Sequence, residues 1–377
     1  MTTADFIVLG AGMAGAAAGY FLADHGRAIV LERESAPGYH STGRSAALYA
    51  ETYGNAAIRA LTVASGRFFS APPAGFADVP LLHRRGLMVI AQSSDAARLA
   101  REAAAGRRLA PNLRVLAAGE PLTLCPVLRD AWASHAFLEP DAMDMDVHAI
   151  HQGFLRGLKG KGGRLVTDAA AQAITAREGG WQIATRAGRF TAPVVVNAAG
   201  AWADEVAQLA GLPPVGLVAK RRTALIVDVD PAPNAAWPMV VDIGESFYFK
   251  PESGRLLISP ADETAMPATD VQPDELDIAE AAARIEAATR LQVRRVVRKW
   301  AGLRTFAADR TLVIGPDPLA PGFVWMAGQG GYGIQTAAAA GRAAAALAQC
   351  AALPADLVEL GVVAADLLPD RLRPKSL

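Results

Sequence analysis

The chain has 377 residues, 52% of them apolar and 20% charged, with a formal net charge of zero. That is enough chain for about two domains with a large core, and the balanced charge gives no reason to expect nucleic acid or an anionic membrane as the main partner. Cys125 and Cys350 stand far apart outside any Cys-x-x-Cys pattern, no leader is read at the start, and no apolar window approaches a membrane span. The expectation is a cytoplasmic protein with no disulfide framework, zinc site or transmembrane segment, contact with the inner membrane surface being left open.

The apolar run Phe6 to Leu9 meets Gly10, Gly12 and Gly15, passes into an Ala-rich helical pattern ending at Gly26, and is followed by a second apolar run, Ala28 to Leu31. This predicts strand, glycine turn, helix, strand. Gly10 permits the tight turn, Gly12 lets backbone approach a pyrophosphate, and Gly15 lets helix and strand pack closely. The helix N-terminus then faces the anion. Glu32, at the end of the second strand, is placed to accept from a ribose 2′-hydroxyl, which disfavours a 2′-phosphate. An adenine dinucleotide follows, with FAD and NAD both open at this point.

From Arg33 to Ala50 the chain is dense in Ser, Thr, Gly and Arg, a loop suited to a cofactor edge that turns helical near Ser45. Helical spacing continues over 55 to 70. Leu87 to Ala91 reads as a strand and 94 to 105 as a helix. Glu139 to Asp146 carries four acids, followed by His148 and His151; a metal site is conceivable, but a helix from Val147 to Leu158 capped by Asp144 or Asp146 explains the acids better, and no metal is expected. Short strands at 164–167, 173–176, 181–185 and 189–192, with a hairpin turn at Glu178 to Gly180, lead to Pro193–Gly200, whose continuous apolar run predicts a buried parallel strand. Alternation returns over 216–259, with strands at 225–229, 246–250 and 256–259. An amphipathic helix spans 274–291, 300–306 is strand or turn, and 322–328 is another buried strand.

That last strand feeds Gln329-Gly-Gly-Tyr-Gly-Ile-Gln-Thr336 and a long Ala helix, a second glycine-rich helix entry. Its amides and positive dipole end can face the N1, C2=O edge of a reduced flavin, whereas a nicotinamide gains nothing from it, which favours FAD.

At this point the chain resembles the FAD-dependent amine and amino-acid oxidoreductases related to D-amino-acid oxidase and glycine oxidase, and within them the bacterial D-arginine dehydrogenases. The resemblance covers essentially the whole chain and rests on Pro37–Ala47, Val196–Trp202, Lys220–Arg222, Glu245–Tyr248, Trp300–Arg304 and Ala327–Thr336. It implies an α/β fold: a Rossmann-like FAD-binding domain (1–79, 141–212, 307–377) and a discontinuous substrate-binding domain of antiparallel β-sheet plus helices (80–140, 213–306). Arg222 and Arg304 would hold a substrate carboxylate. Tyr53 and Tyr248 would close the pocket, and the Gly331 carbonyl would accept from the amine. FAD would be lined by Gly10, Gly12, Gly15, Glu32, Arg33, Ser41, Thr42, Arg44, Ser45, Ala46, Gly200, Gly328, Gly330, Gly331, Tyr332, Gly333, Ile334, Gln335 and Thr336. Neither cysteine lies near the C-terminal glycine segment, so FAD would be non-covalent.

The implied reaction is oxidation of a D-amino acid, with oxygen, a quinone or another electron acceptor left open and no catalytic base named. Leu48 and Leu87 stand where D-arginine dehydrogenases carry a histidine and a glutamate, which implies a preference for neutral or hydrophobic side chains. Arg84 keeps an acidic substrate in view. Two competing readings are a secondary-amine substrate such as an N-alkyl amino acid, and a flavin-carrying binding protein without turnover.

Overall fold

The computed structural model describes residues 1–373, so the last four positions of the expected 307–377 segment lie outside the described residues. Strand Phe6–Leu9, helix Met13–Leu22 and parallel strand Ala28–Leu31 form the unit that the glycines demand. Both strands are buried at every position, as non-alternating runs require. They lie in a six-stranded sheet ordered Arg164–Val166, Ala28–Leu31, Phe6–Leu9, Val194–Asn197, Phe323–Ala327, Val313–Pro316, parallel except for the last strand.

One face of this sheet packs through Val8, Val30 and Val196 against helices that include Met13–Leu22 and Ala337–Ala348. The other face packs Ile7, Ile29 and Trp325 on Trp181, Ile183 and Phe190 of the smaller sheet holding Ala173–Arg177, Gly180–Thr185 and Gly188–Ala192. Period-two alternation thus sends successive residues of one strand to two different cores.

The eight-stranded sheet runs in the order Gln292–Phe306, Val218–Asp230, Arg255–Ser259, Tyr248–Glu252, Met239–Asp242, Leu87–Ala91, His135–Glu139, Arg114–Val115. It is antiparallel with one correction to expectation: Met239–Asp242 pairs in parallel with Leu87–Ala91. Met88 and Ile90 face helix Glu275–Ala288 across one core, while Leu87 and Val89 face the opposite side with Met239 and Tyr248. Three helices are capped by side chains: Asp146 accepts from Ala149 N at 2.8 Å, Asp274 from Leu276 N at 2.9 Å and Asn55 from Ile58 N at 3.1 Å.

One local expectation fails, and another is met by a longer element than expected. The chain does not turn helical near Ser45; Leu48–Tyr49 is a short strand paired with Met143–Met145. Long-range bonds override the local pattern there, since Ser41 donates to the Leu303 carbonyl at 2.6 Å and Trp300 Nε1 donates to the Arg44 carbonyl at 2.9 Å. The segment expected as strand or turn at 300–306 is strand, but it begins eight residues earlier, at Gln292, and its outer half is exposed and rich in arginine, so it carries no apolar alternation to read.

Candidate active site

Two cavities meet at Arg222, Tyr248, Arg304 and Gly331. The first is elongated. It starts at Gly10, Gly12, Glu32 and Arg33 and passes Ser41, Thr42, Arg44, Ser45, Ala46 and Gly200 before reaching Gly330, Gly331, Gly333 and Ile334. The second, about 930 Å³, has Leu48, Leu87, Val89, Phe137, Met239 and Val241 on one side, and charged residues including Arg59, Arg98, Glu102 and Glu245 also line it. Apart from Leu48, which lies on the short strand Leu48–Tyr49, this apolar wall belongs to the cavity-facing side of the eight-stranded sheet.

The cofactor end is built by the glycine turn. A Cβ on Gly15 would lie 1.8 Å from the Gly10 carbonyl oxygen, so no side chain fits between helix and strand there. Helix Met13–Leu22 starts at Gly12 with no side-chain cap from Gly12 and no acid in its first turn, which leaves it open to an anion. Glu32, buried at 6% exposure, accepts from Ala11 N at 2.7 Å and from Glu34 N at 2.9 Å, so its carboxylate braces the turn from the ribose position. Open amides, a buried carboxylate and a glycine cradle are the donor set an adenine dinucleotide needs.

Several expected cofactor residues have other tasks. Thr42 accepts from Met13 N at 2.9 Å, and the Arg44 guanidinium is committed to the carbonyls of Val271 and Ala301 and to Asp270. Gly15 acts through packing alone. Gly328, Tyr332, Gln335 and Thr336 do not line the elongated cavity: Gly328 is a turn with φ +68° beside Val313, and Tyr332 and Gln335 line the second cavity. Gln335 donates to Thr62 at 2.9 Å and accepts from Ala50 N at 3.3 Å, and the Thr336 hydroxyl returns to the Tyr332 carbonyl at 2.9 Å. Arg84 is exposed on strand Leu82–Arg84 and lines neither cavity.

The arginine pair is a product of strand register. Arg222 lies opposite Gly302, and Lys220 opposite Arg304, so Arg222 and Arg304 are diagonal neighbours on one face of the sheet. Burial, and then the like charge of Arg304, pull the Arg222 guanidinium below its ordinary pKa. Arg222 Nε donates to the Asp262 carbonyl at 2.9 Å and Nη2 to Glu263 at 3.3 Å. Arg304 Nη1 meets the Tyr53 hydroxyl at 3.3 Å, and a Cβ on Gly331 would come within 2.7 Å of that same nitrogen. Arg304 thus keeps most of its donors for a ligand.

Three supporting residues escaped the sequence reading. His151 Nε2 donates to the Ala11 carbonyl at 2.8 Å beneath the glycine turn, and burial lowers the ring's pKa, which fits a neutral donor. Glu139 is treated below. Glu263 joins Lys220 at 2.8 Å, Arg222 at 3.3 Å and Arg310 at 2.8 Å. Each pairs across more than 40 residues of sequence, a distance at which no spacing signal exists.

The Arg310 hydrogen bonds, working against burial and helped by Lys220, hold the Glu263 carboxyl down at about 2, from an ordinary 4.5. A depressed acid binds fewer protons folded than unfolded, so its stabilisation is complete above pH 4.5 and is lost as the pH falls toward about 2. The thermal midpoint of the wild type should fall across that window, and the curve for Glu263→Gln should be flatter there. Parallel curves for the two proteins would contradict the assignment.

Among the described residues no helix is long and apolar enough to cross a membrane, and no group of three or more His, Cys, Asp and Glu side chains could hold a metal.

Comparison with known proteins agrees with this geometry. The family model for DAO, FAD dependent oxidoreductase, matches residues 5–347. FAD-dependent oxidoreductase domain-containing protein 1 of Bos taurus is 29% identical over 175 residues, which span 40% of this chain and 35% of that protein. The chain therefore matches about a third of the length of that relative. L-proline dehydrogenase from P. horikoshii superposes with a TM-score of 0.83 at 18% identity, over 94% of this chain and 96% of its own. Glycine oxidase from Geobacillus kaustophilus gives 0.82 at 21% identity, over 96% and 99%. With a family model matching nearly the whole chain and a cavity whose donors suit the dinucleotide, this protein belongs to the DAO family of FAD-dependent oxidoreductases.

Proposed function

We propose that the chain oxidises the Cα–N bond of a D-amino acid with a neutral or hydrophobic side chain, yielding a 2-oxo acid and ammonia. The observation that carries this reading is the pair of buried Arg222 and half-buried Arg304 at the junction of the cofactor cavity with a cavity whose sheet side is walled by leucine, valine, phenylalanine and methionine. FAD, when bound, accepts a hydride and passes the electron pair to an acceptor. The protein's part is placement. Arg304 and the remaining donors of Arg222 hold the carboxylate, and Tyr53 and Tyr248 flank it. The Gly331 carbonyl is offered to the neutral amine. Fixing these two substituents leaves the Cα hydrogen one direction to point. Loss of that hydride leaves an imine, which water converts to the oxo acid and ammonia. No side chain is assigned as a base.

In this reading residues 1–79, 141–212 and 307–377 bind FAD non-covalently, and 80–140 and 213–306 bind the substrate. The D configuration rests on the resemblance to D-arginine dehydrogenases. Leu87 is 6% exposed and lies between Met239 and Glu139 in register, and the Glu139 carboxylate is already engaged by the Glu51 amide and the Thr52 hydroxyl, so a substrate guanidinium there would meet an apolar side chain and no uncommitted counter-charge from this strand.

Anaerobic bleaching of the flavin band by a panel of D-, L- and N-methyl amino acids tests the reading. Apolar D-amino acids should bleach fastest, and comparable rates with D-arginine would sink the preference. Leu87→Glu should raise the ratio of D-arginine to D-leucine kcat/KM at least ~10-fold, because it restores a counter-charge to a buried cation. The volume of about 930 Å³ also has room for an N-substituent. Bleaching by N-methyl substrates alone would therefore move the assignment to a secondary amine, and bleaching by none would favour a flavin-carrying binding protein.

A further inference from the structure

Glu139 is 1% exposed, at the end of strand His135–Glu139, and among the described residues no Lys, Arg or His forms an ion pair with it. Burying a carboxylate without a counter-ion is strongly unfavourable unless hydrogen bonds take the place of water. Two such bonds are present, and both come from consecutive residues of a single turn. Glu51 N donates to Oε1 at 2.6 Å, and the Thr52 hydroxyl donates to Oε2. The next residue is Tyr53, whose hydroxyl lies 3.3 Å from Arg304 Nη1 and whose ring sits 4.9 Å from that of Tyr332.

The turn is held from other sides too. Tyr49 donates to Glu51 Oε1 at 2.8 Å, and the Thr52 methyl packs so close to helix Ala96–Gly106 that a Cβ on Gly106 would lie 2.8 Å from it. Among the described residues only Glu139, however, bonds the backbone of this turn from the eight-stranded sheet, and it does so opposite Leu87 of the cavity wall. The sheet that carries Arg304 and the segment that carries Tyr53 are thereby referred to one another through one side chain.

We propose that Glu139 is a positioning residue for Tyr53, setting the distance between the tyrosine hydroxyl and the Arg304 guanidinium so that the two act on one carboxylate. This rests on the functional reading above. Glu139 touches neither substrate nor cofactor in this scheme. Its requirement is for two acceptor oxygens facing two donors; glutamine keeps one acceptor and lets the Thr52 hydroxyl turn to accept, whereas leucine leaves the Glu51 amide buried and unpaired.

The test uses the FAD-loaded protein and two readouts. One is KM and kcat for D-leucine, and the other is the dissociation constant of benzoate, an apolar carboxylate, from the shift it causes in flavin absorbance. Glu139→Leu should raise KM and the benzoate constant about tenfold, with kcat and FAD affinity within about twofold; Glu139→Gln should stay within about threefold. Because the effect runs through the tyrosine hydroxyl, adding Glu139→Leu to Tyr53→Phe should change either constant by less than about twofold.

Unchanged constants in Glu139→Leu, or the same tenfold penalty on top of Tyr53→Phe, would overturn the proposal. If Glu139→Leu does not fold, Thr52→Val decides: it removes one donor and keeps the shape, so a rise of about threefold supports the role and no change refutes it. If no amino acid bleaches the flavin, the functional reading fails by itself, and the benzoate constants still judge Glu139.

Discussion

Arg304→Ala should lose roughly 10²- to 10³-fold in kcat/KM for the best D-amino acid, the penalty of removing one partner from a buried charge pair. The loss should fall mainly on substrate capture, visible as a collapse of saturation in the anaerobic bleaching rate. FAD content should be retained, since the glycine turn and Glu32 lie at the other end of the elongated cavity. Arg222→Ala should do less. Arg222 already donates to Asp262 and Glu263, so part of its removal is felt by protein groups, while among the described residues the Arg304 fork has one hydrogen-bond partner, the Tyr53 hydroxyl. Arg304→Lys should recover only a fraction of the activity, because an ammonium cannot meet two carboxylate oxygens in a plane. Equal losses at the two arginines would show that both bind the carboxylate alike.

Gly15→Ala should abolish FAD retention and lower the thermal midpoint together. Its Cβ would stand 1.8 Å from the Gly10 carbonyl oxygen and 3.3 Å from a Val8 methyl, so helix and strand must separate, an overpacking strain of roughly 1–3 kcal/mol. Gly12→Ala is the contrasting case. The nearest atom to its Cβ is Thr42 Oγ1 at 3.4 Å, so the protein should fold with its midpoint little changed. What the methyl occupies is the approach to the pyrophosphate, and FAD affinity should weaken about 100-fold if that backbone contact is lost. Gel filtration followed by the flavin-to-protein absorbance ratio separates the two outcomes. Normal FAD retention in Gly12→Ala would mean that the anion does not sit against this turn.

The parts of the fold that could be read from the sequence are those governed by local rules. Phe6–Leu9, Ala28–Leu31 and Val194–Asn197 are continuous apolar runs because both faces of a parallel strand are buried, and Asp146, one of the two caps expected for helix Val147–Gly160, stands where the helix end leaves amides open. The glycine spacing marks the cofactor turn for the same reason. What local rules cannot supply is pairing at a distance. The parallel contact of Leu87–Ala91 with Met239–Asp242 joins segments about 150 residues apart, and nothing in either run distinguishes it from an antiparallel one. Glu139, Glu263 and His151 were invisible as supporters because their partners are backbone groups or charges from distant loops. At Gln335 and Thr336 the family pattern suggested the cofactor, and the side chains serve the packing of neighbouring segments instead.

Strands Val218–Asp230 and Gln292–Phe306 pair along almost their whole length, with register shifts only between Ile226 and Val227 and between Asp228 and Val229. Both irregularities lie beyond the stretch from Lys220 to Arg222 that faces Gly302 to Arg304. On the proposed function, the arginines that would hold a carboxylate are anchored in an unbroken ladder of backbone hydrogen bonds, while the surface that would meet the rest of the ligand is supplied largely by side chains of Leu87–Ala91 and Met239–Asp242. Under that proposal, recognition of what all amino acids share would be separated, strand by strand, from recognition of what differs among them. A scaffold divided in this way can change its preferred ligand through one or two wall substitutions without disturbing the grip on the common group, which makes the wall the natural place for relatives to diverge and for an engineer to begin.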